Sequence, residues 1–281
     1  KVSDEMLEIF GGDGYFEDSP YGPTERLYRD CRALWLEEGS PTIQRITIAR
    51  ELERVGLRAD ALSGILITHE HTDHIAGVGV MSRRFDLPVY ATEGTWREMH
   101  GRLGKIAAQN VRVLDGKRPF RVGDIEVNPF PLSHDAADPV GYALRAGDAR
   151  IAIATDTGEI CESWMQYCEG ADLVLLESNY DPAMLEAGPY PYPLKRRILG
   201  SQGHLSNDDA GRAAARLIAS GVKRLVLGHL SRENNFPELA LRAEADARRV
   251  EREQTRAQRS LKREAALAQS HRAETELAAL A

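Results

Sequence analysis

No apolar run in the 281-residue chain approaches the ~18 residues that a membrane-spanning helix needs, so no helical span is expected. Cysteine is scarce: Cys31, Cys161 and Cys168 are an odd number and form no Cys-x-x-Cys pair. That argues against a disulfide framework, fits a reducing compartment and leaves thiolates out of any metal site. Positive charge is in deficit, with 36 Lys and Arg against 43 Asp and Glu and a net charge of −7. Nucleic-acid binding by bulk positive charge is thereby excluded, although a local basic patch is not. Residues 1–10 lack the basic flank and long apolar stretch of a secretory signal, and a cytoplasmic location is expected. Glycine is missing after Gly228 and proline after Pro237. Residues 240–281 are mostly Ala, Arg, Glu, Gln and Leu, which favour helix. A charged helical extension is expected there, solvated along its length or docking a partner or second copy.

Between residues 62 and 236, short apolar runs alternate with Gly, Pro and Asp turns. Ile65–Ile67, Val111–Leu114, Ile125–Val127, Ile151–Ala154, Leu173–Leu176 and Leu225–Leu227 read as strands, and Ala146-Gly147-Asp148 as a hairpin turn. A helix is expected over residues 207–220, opened by a capping box of Ser206 and Asp209 and stopped by Gly221. Interleaved strands and helices of this kind make a layered α/β protein around one core.

The chemistry concentrates in Thr68-His69-Glu70-His71-Thr72-Asp73-His74, directly after the apolar Ile65-Leu66-Ile67. Three imidazoles and a carboxylate so close together cannot enter a core without partners. With only eight histidines in the chain, a chance His-x-His-x-Asp-His occurs at ~10⁻⁶ per position. Further candidate ligands repeat the same context. His134 follows the 125–131 segment, Asp156 follows Ile151–Ala154, and His229 follows Leu225-Val226-Leu227-Gly228. Ends of adjacent strands gather in one crevice of an α/β sheet, so these side chains are expected together.

These residues resemble the metallo-β-lactamase-fold hydrolases. The resemblance implies an α/β (α+β) fold, a four-layer αββα sandwich, forming a hydrolase domain over residues 1–239 with the helical extension at 240–281. It implies two divalent metal ions, one on His69, His71 and His134 and one on Asp73, His74 and His229, with Asp156 bridging. Nitrogen and oxygen ligands suit zinc, manganese or iron. A narrower match spans residues 56–238 through Leu176-Glu177-Ser178-Asn179-Tyr180-Asp181, Gly188-Pro189-Tyr190-Pro191, Gly203-His204-Leu205-Ser206-Asn207 and His229-Leu230-Ser231-Arg232-Glu233-Asn234-Asn235. These look like the YycJ (WalJ) branch, whose members are regarded as 5′→3′ exodeoxyribonucleases. That branch usually opens with Ser-Ser-Gly-Asn and a strand ending Asp-Ala-Gly or Asp-Cys-Gly. Neither is in place; Leu34-Trp35-Leu36-Glu37-Glu38-Gly39 is nearest and puts Glu37 where an Asp is expected.

The expected activity is phosphodiester hydrolysis at DNA ends. Asp73 and His204 are the expected catalytic residues, His204 as phosphate contact or proton donor to the leaving group. Asn179, Lys195, Arg196, Arg197 and His204 are expected to contact substrate, the basic triplet by holding the phosphate backbone. Glu70, between two ligands, is expected to point away from them. Hydrolysis of a thioester or lactam would use the same site without a basic surface. A non-catalytic metal-binding scaffold is the third reading, against which the complete set from His69 to His229 argues.

Overall fold

The computed structural model describes residues 56–115, 118–250 and 252–253. Strands β1 (Ile65–Leu66), β2 (Val89–Ala91) and β3 (Val111–Val113) pair in parallel, in that order, to make one sheet. The second sheet holds β4 (Phe120–Val122), β5 (Ile125–Pro131), β6 (Val140–Ala146), β7 (Ala149–Ala154), β8 (Leu173–Glu177) and β9 (Arg224–Gly228) in sequence order. Its pairs are antiparallel as far as β7 and parallel from β7 to β9. The β6–β7 hairpin turns at Gly147, whose φ of 58° is one that glycine adopts at no steric cost.

Packing sorts the molecule into four layers. Helices α1 (Thr72–Ile75), α2 (Val78–Phe85) and α3 (Glu93–Met99) cover the first sheet, Ile75, Val78 and Met99 meeting Ile67, Val89 and Ala91. Leu114, Val127, Val140 and Tyr142 fill the space between the sheets with Leu66, Tyr90 and Phe120. Helices α4 (Glu162–Cys168) and α7 (Asn207–Ala219) close the far face, where Trp164, Met165, Ala213 and Leu217 meet Ala152, Ala154, Val174 and Leu176. Strands buried on both faces read as continuous apolar runs. In β7 and β8 the small Ala152 and Ala154 face helices, while Ile151, Ile153, Leu173 and Leu175 form a cluster on the opposite face. Two short helices, α5 (Pro182–Ala187) and α6 (Tyr192–Ile198), lie in the chain between β8 and α7.

Helix α7 runs as its sequence predicts. Ser206 Oγ accepts from the Asp209 N–H at 3.1 Å, and the chain leaves the helix through Gly221 at φ 103°. The helix over residues 237–250 is attached more firmly than its charged composition suggests. Ala240 is 2% exposed within the main core, and a Cβ on Gly211 of α7 would stand 2.7 Å from the Ala243 carbonyl oxygen. Among the described residues, no helix is long and apolar enough to cross a membrane.

Candidate metal centre

The loop after β1 carries His69 and His71 and runs into α1, which carries Asp73 and His74, and bonds across the two sheets hold it. Tyr142 Oη donates to the Ile67 carbonyl at 2.6 Å, and the Val140 N–H donates to the Thr68 carbonyl at 3.0 Å. Glu70 turns away from the imidazoles, as expected, and its carboxylate accepts from the Ala137 N–H at 2.7 Å. Arg102, from the loop after α3, donates to the Glu70 carbonyl at 2.8 Å and to Thr72 Oγ1 at 2.7 Å. The other ligand candidates come from the ends of β5, β7 and β9. Asp156 (φ 61°) and His229 (φ 57°) are both in the left-handed region, which non-glycine residues enter at a cost. Such strain persists where surrounding structure over-determines it and gathers at functional sites.

Two triads result. His69, His71 and His134 each offer an atom within 4.8 Å of the others, and so do Asp73, His74 and His229. Asp156 lies between them, forming a further group with His69 and His74 and approaching His134 and His229 at 3.8 and 3.5 Å. His69 Nε2, His74 Nε2 and Asp156 Oδ2 are buried without a hydrogen-bond partner. Orphaned polar atoms cost free energy unless something accepts them, and three converging in one place fit a cation.

The rear nitrogens are fixed, which decides which atom faces forward. Thr68 Oγ1 lies 3.1 Å from His69 Nδ1 and 3.4 Å from His74 Nδ1; the Gly203 carbonyl accepts from His134 Nδ1 at 3.0 Å. His71 is reversed, with its Nδ1 3.2 Å from His134 Nε2. Burial holds the His69 and His134 imidazoles below their ordinary pKa, which keeps them neutral and able to ligate. Burial works against the Asp156 carboxylate, but His229, His74 and His69 outweigh it and hold Asp156 well below the carboxylate range. His74 moves the other way: burial opposes its charged form, and Asp156 and Asp73 raise its pKa nonetheless.

Glu177, at the end of β8, is fully buried and was not among the site residues expected from sequence. Its Oε1 accepts from His204 Nδ1 at 2.7 Å and from His229 Nδ1 at 2.8 Å. Its Oε2 accepts from the backbone N–H groups of Thr157 at 2.8 Å and Leu205 at 3.2 Å. Burial alone would raise this carboxyl, yet the two imidazoles hold it down at about 2. In return Glu177 keeps His204 above its ordinary value against the effect of burial. His204 thus stands beside the triads, its ring 5.1 Å from that of His134 and 5.3 Å from that of His229.

These groups open into a cavity of about 540 Å³, within the usual range for a small-ligand site. His71, Asp73, Asp156, Asn179, His204 and His229 line it. Asn179 donates from Nδ2 to the His229 carbonyl at 2.8 Å, so it also fixes the strained ligand loop. Of the basic triplet, Arg197 alone lines the cavity. It pairs with Asp135, its Nη2 donating to Oδ1 at 3.0 Å. Lys195 and Arg196 lie outside the lining, and Lys195 Nζ donates to the Glu186 carbonyl at 2.7 Å. Asp135 also stands 3.7 and 3.6 Å from His71 Nε2 and His134 Nε2, a neighbour that the sequence did not flag. Glu37 lies outside the described residues.

Layers, strand-end ligands and a paired imidazole cluster define a metallohydrolase of the metallo-β-lactamase class. Residues 40–230 match the family model described as a beta-lactamase superfamily domain. The fold is similar to that of the metallo-β-lactamase fold protein YhfI from Bacillus subtilis, with a TM-score of 0.56 at 17% identity over 75% of this chain and 79% of that one. The chain therefore belongs to the metallo-β-lactamase superfamily, within its YycJ/WalJ branch. The branch is set by two relatives. The exodeoxyribonuclease YycJ of Bacillus anthracis is 44% identical over 184 residues, covering 66% of this chain and 70% of that protein. The exodeoxyribonuclease WalJ of Streptococcus pneumoniae serotype 2 (strain D39 / NCTC 7466) is 40% identical over 191 residues, covering 67% and 71%. Residues 1–53 match a different family model, the acyl-CoA dehydrogenase C-terminal domain. The stretch around Glu37, where the branch's opening motifs were sought, thus reads as another family's sequence.

Proposed function

We propose that the protein is a 5′→3′ exodeoxyribonuclease that hydrolyses phosphodiester bonds at DNA ends with two divalent metal ions. The single observation that carries the reading is the pair of triads flanking Asp156, with His204 beside both. His69, His71 and His134 would hold one ion, and Asp73, His74 and His229 the other, with Asp156 between them. Zinc, manganese and iron all suit this donor set. When bound, the two cations supply Lewis-acid polarisation of the phosphate and of the attacking water. His204, whose protonated form Glu177 favours, would donate its proton to the leaving sugar oxygen as the new O–P bond forms and the old P–O bond breaks, the attacking water giving up its own proton to solvent. Asn179 holds the His229 loop, and Arg197, paired with Asp135, offers its remaining N–H groups to the phosphate backbone. A cytoplasmic location belongs to the same proposal, as does a boundary after residue 239 between the hydrolase domain and a charged extension (240–281). The comparisons give no support to an oligomer formed through that extension.

The test is incubation of purified protein with 5′- and 3′-end-labelled single- and double-stranded DNA and RNA, with Mn²⁺ or Zn²⁺ added in turn. Early release of the 5′ label as a small product from DNA is expected, while 3′-labelled strands shorten gradually. Intact nucleic acid alongside turnover of a thioester or lactam would overturn the proposal.

A further inference from the structure

The metal-ligand cluster accounts for only part of the cavity wall. Tyr190, Leu194 and Leu230 line the same cavity, as do Arg102 and Arg232. Tyr190 and Leu194 are half-buried and pack against a fixed apolar cluster of Tyr180, Leu185 and Ile198. The Tyr190 ring therefore has a rigid backing. Among the described residues its hydroxyl has no hydrogen-bond partner and no other ring stacks on it. Arg102 is held in place with two of its N–H groups on the ligand loop, and a guanidinium has five. An occupant that satisfies this cavity is anionic where the arginines and cluster lie, and flat and apolar where Tyr190 lies.

We infer that Tyr190, Leu194 and Leu230 form a nucleobase subsite beside the metal-ligand cluster, which takes the terminal base of a DNA strand. The inference rests on the phosphodiesterase reading and adds what that reading lacks, a reason for acting at ends. A base seated against Tyr190 has to be unstacked from its neighbours, and a terminal base is the cheapest to free. The subsite reads a π-face, and neither leucine can donate or accept a hydrogen bond. Stacking of this kind is sequence-tolerant, so all four bases should be accepted.

The experiment compares thymidine 3′-(p-nitrophenyl phosphate), whose base is joined to the phosphate as a 5′-terminal base is, with methyl p-nitrophenyl phosphate, which lacks the base, on Mn²⁺-supplemented protein. Loss of a stacked base costs about 5- to 150-fold in binding. Tyr190→Ala should therefore lower the ratio of kcat/KM for the thymidine ester over the methyl ester by about tenfold, through KM, and Tyr190→Phe should preserve the ratio. An unchanged ratio in folded Tyr190→Ala overturns the subsite. Calorimetry with thymidine 3′-monophosphate and inorganic phosphate reads the same preference without turnover. A nucleotide preference that Tyr190→Ala abolishes, in a protein cleaving neither ester, would sustain the subsite and sink only the phosphodiesterase reading. No preference for the nucleotide over phosphate overturns the subsite whatever the activity.

Discussion

Replacing Glu177 by Gln removes one charge and converts one acceptor oxygen into a donor, at a position where four donors converge. The amide has two orientations. With its NH₂ toward the N–H groups of Thr157 and Leu205, two bonds of 2.8 and 3.2 Å are lost in a fully buried setting. Each unsatisfied buried donor costs about 1–3 kcal/mol, so this orientation is disfavoured. With its NH₂ toward the imidazoles, the amide donates to His204 Nδ1 and His229 Nδ1, now 2.7 and 2.8 Å from Oε1. Those nitrogens must then be unprotonated, and a neutral ring moves its proton to Nε2. On His229 that is the atom facing Asp156 at 3.5 Å, so the ring can no longer ligate without losing the proton. The structure relaxes into the second orientation, and the damage falls on metal binding more than on folding. Outer partners of ligating histidines are worth about 10- to 100-fold in metal affinity. Glu177→Gln should therefore melt, without metal, within a few degrees of the parent and bind zinc about 10- to 100-fold more weakly in competition with a fluorescent chelator. Unchanged zinc affinity, or a collapse in melting temperature with affinity intact, would refute the reasoning.

Asp73→Ala should abolish hydrolysis with near-normal circular dichroism and melting, because Asp73, in the short helix α1, lines the cavity and lies outside the core clusters. Changing Lys195, Arg196 and Arg197 to Gln should weaken DNA binding for every sequence alike and flatten its salt dependence by about one to three units of slope, read by fluorescence anisotropy across salt. Since Arg197 alone of the three lines the cavity, Arg197→Gln by itself should account for most of the loss in turnover. Gly158→Ala should lower melting temperature and turnover together: its Cβ would stand 2.3 Å from the Ser201 carbonyl oxygen and 2.5 Å from the Gly203 nitrogen, displacing the loop that positions His204. Truncation after Leu239 should lower the melting temperature by removing the buried Ala240, while turnover of a small phosphodiester stays within a few-fold.

The candidate ligands were legible in the sequence because each follows an apolar run, and strands buried on both faces have no other signature. Leu225–Leu227 before His229 and Ile151–Ala154 before Asp156 announce both the strand and the residue at its end. Helix α7 was legible through its Ser206 cap and Gly221 stop. Glu177 was not, because a carboxylate ending an apolar run reads as the point where a strand meets water. Only its burial and the convergence of His204 and His229 on Oε1 show otherwise. Of the basic triplet only Arg197 reaches the cavity, for a geometric reason. At 3.6 residues per turn, consecutive residues of α6 cannot share a face, so Arg197 turns into the cavity with Leu194 and Ile198 while Arg196 does not. Strand β6 escaped because Gly141 interrupts its pattern. The glycine is required there, since a Cβ would stand 2.3 Å from the Phe130 ring. The terminal helix looked detached because its composition is charged, and the small residues Ala240 and Ala243 that dock it carry no signal of their own.

The central claim is that two ions, held by the two triads and shared by Asp156, run the hydrolysis. Metal-stripped protein titrated with Mn²⁺ while turnover of bis(p-nitrophenyl) phosphate is followed tests this most directly. Activity should be absent without metal and rise to saturation at two equivalents per chain, with Asp156→Ala inactive at any metal concentration. Full turnover at one equivalent or none, or an active Asp156→Ala, would contradict the account.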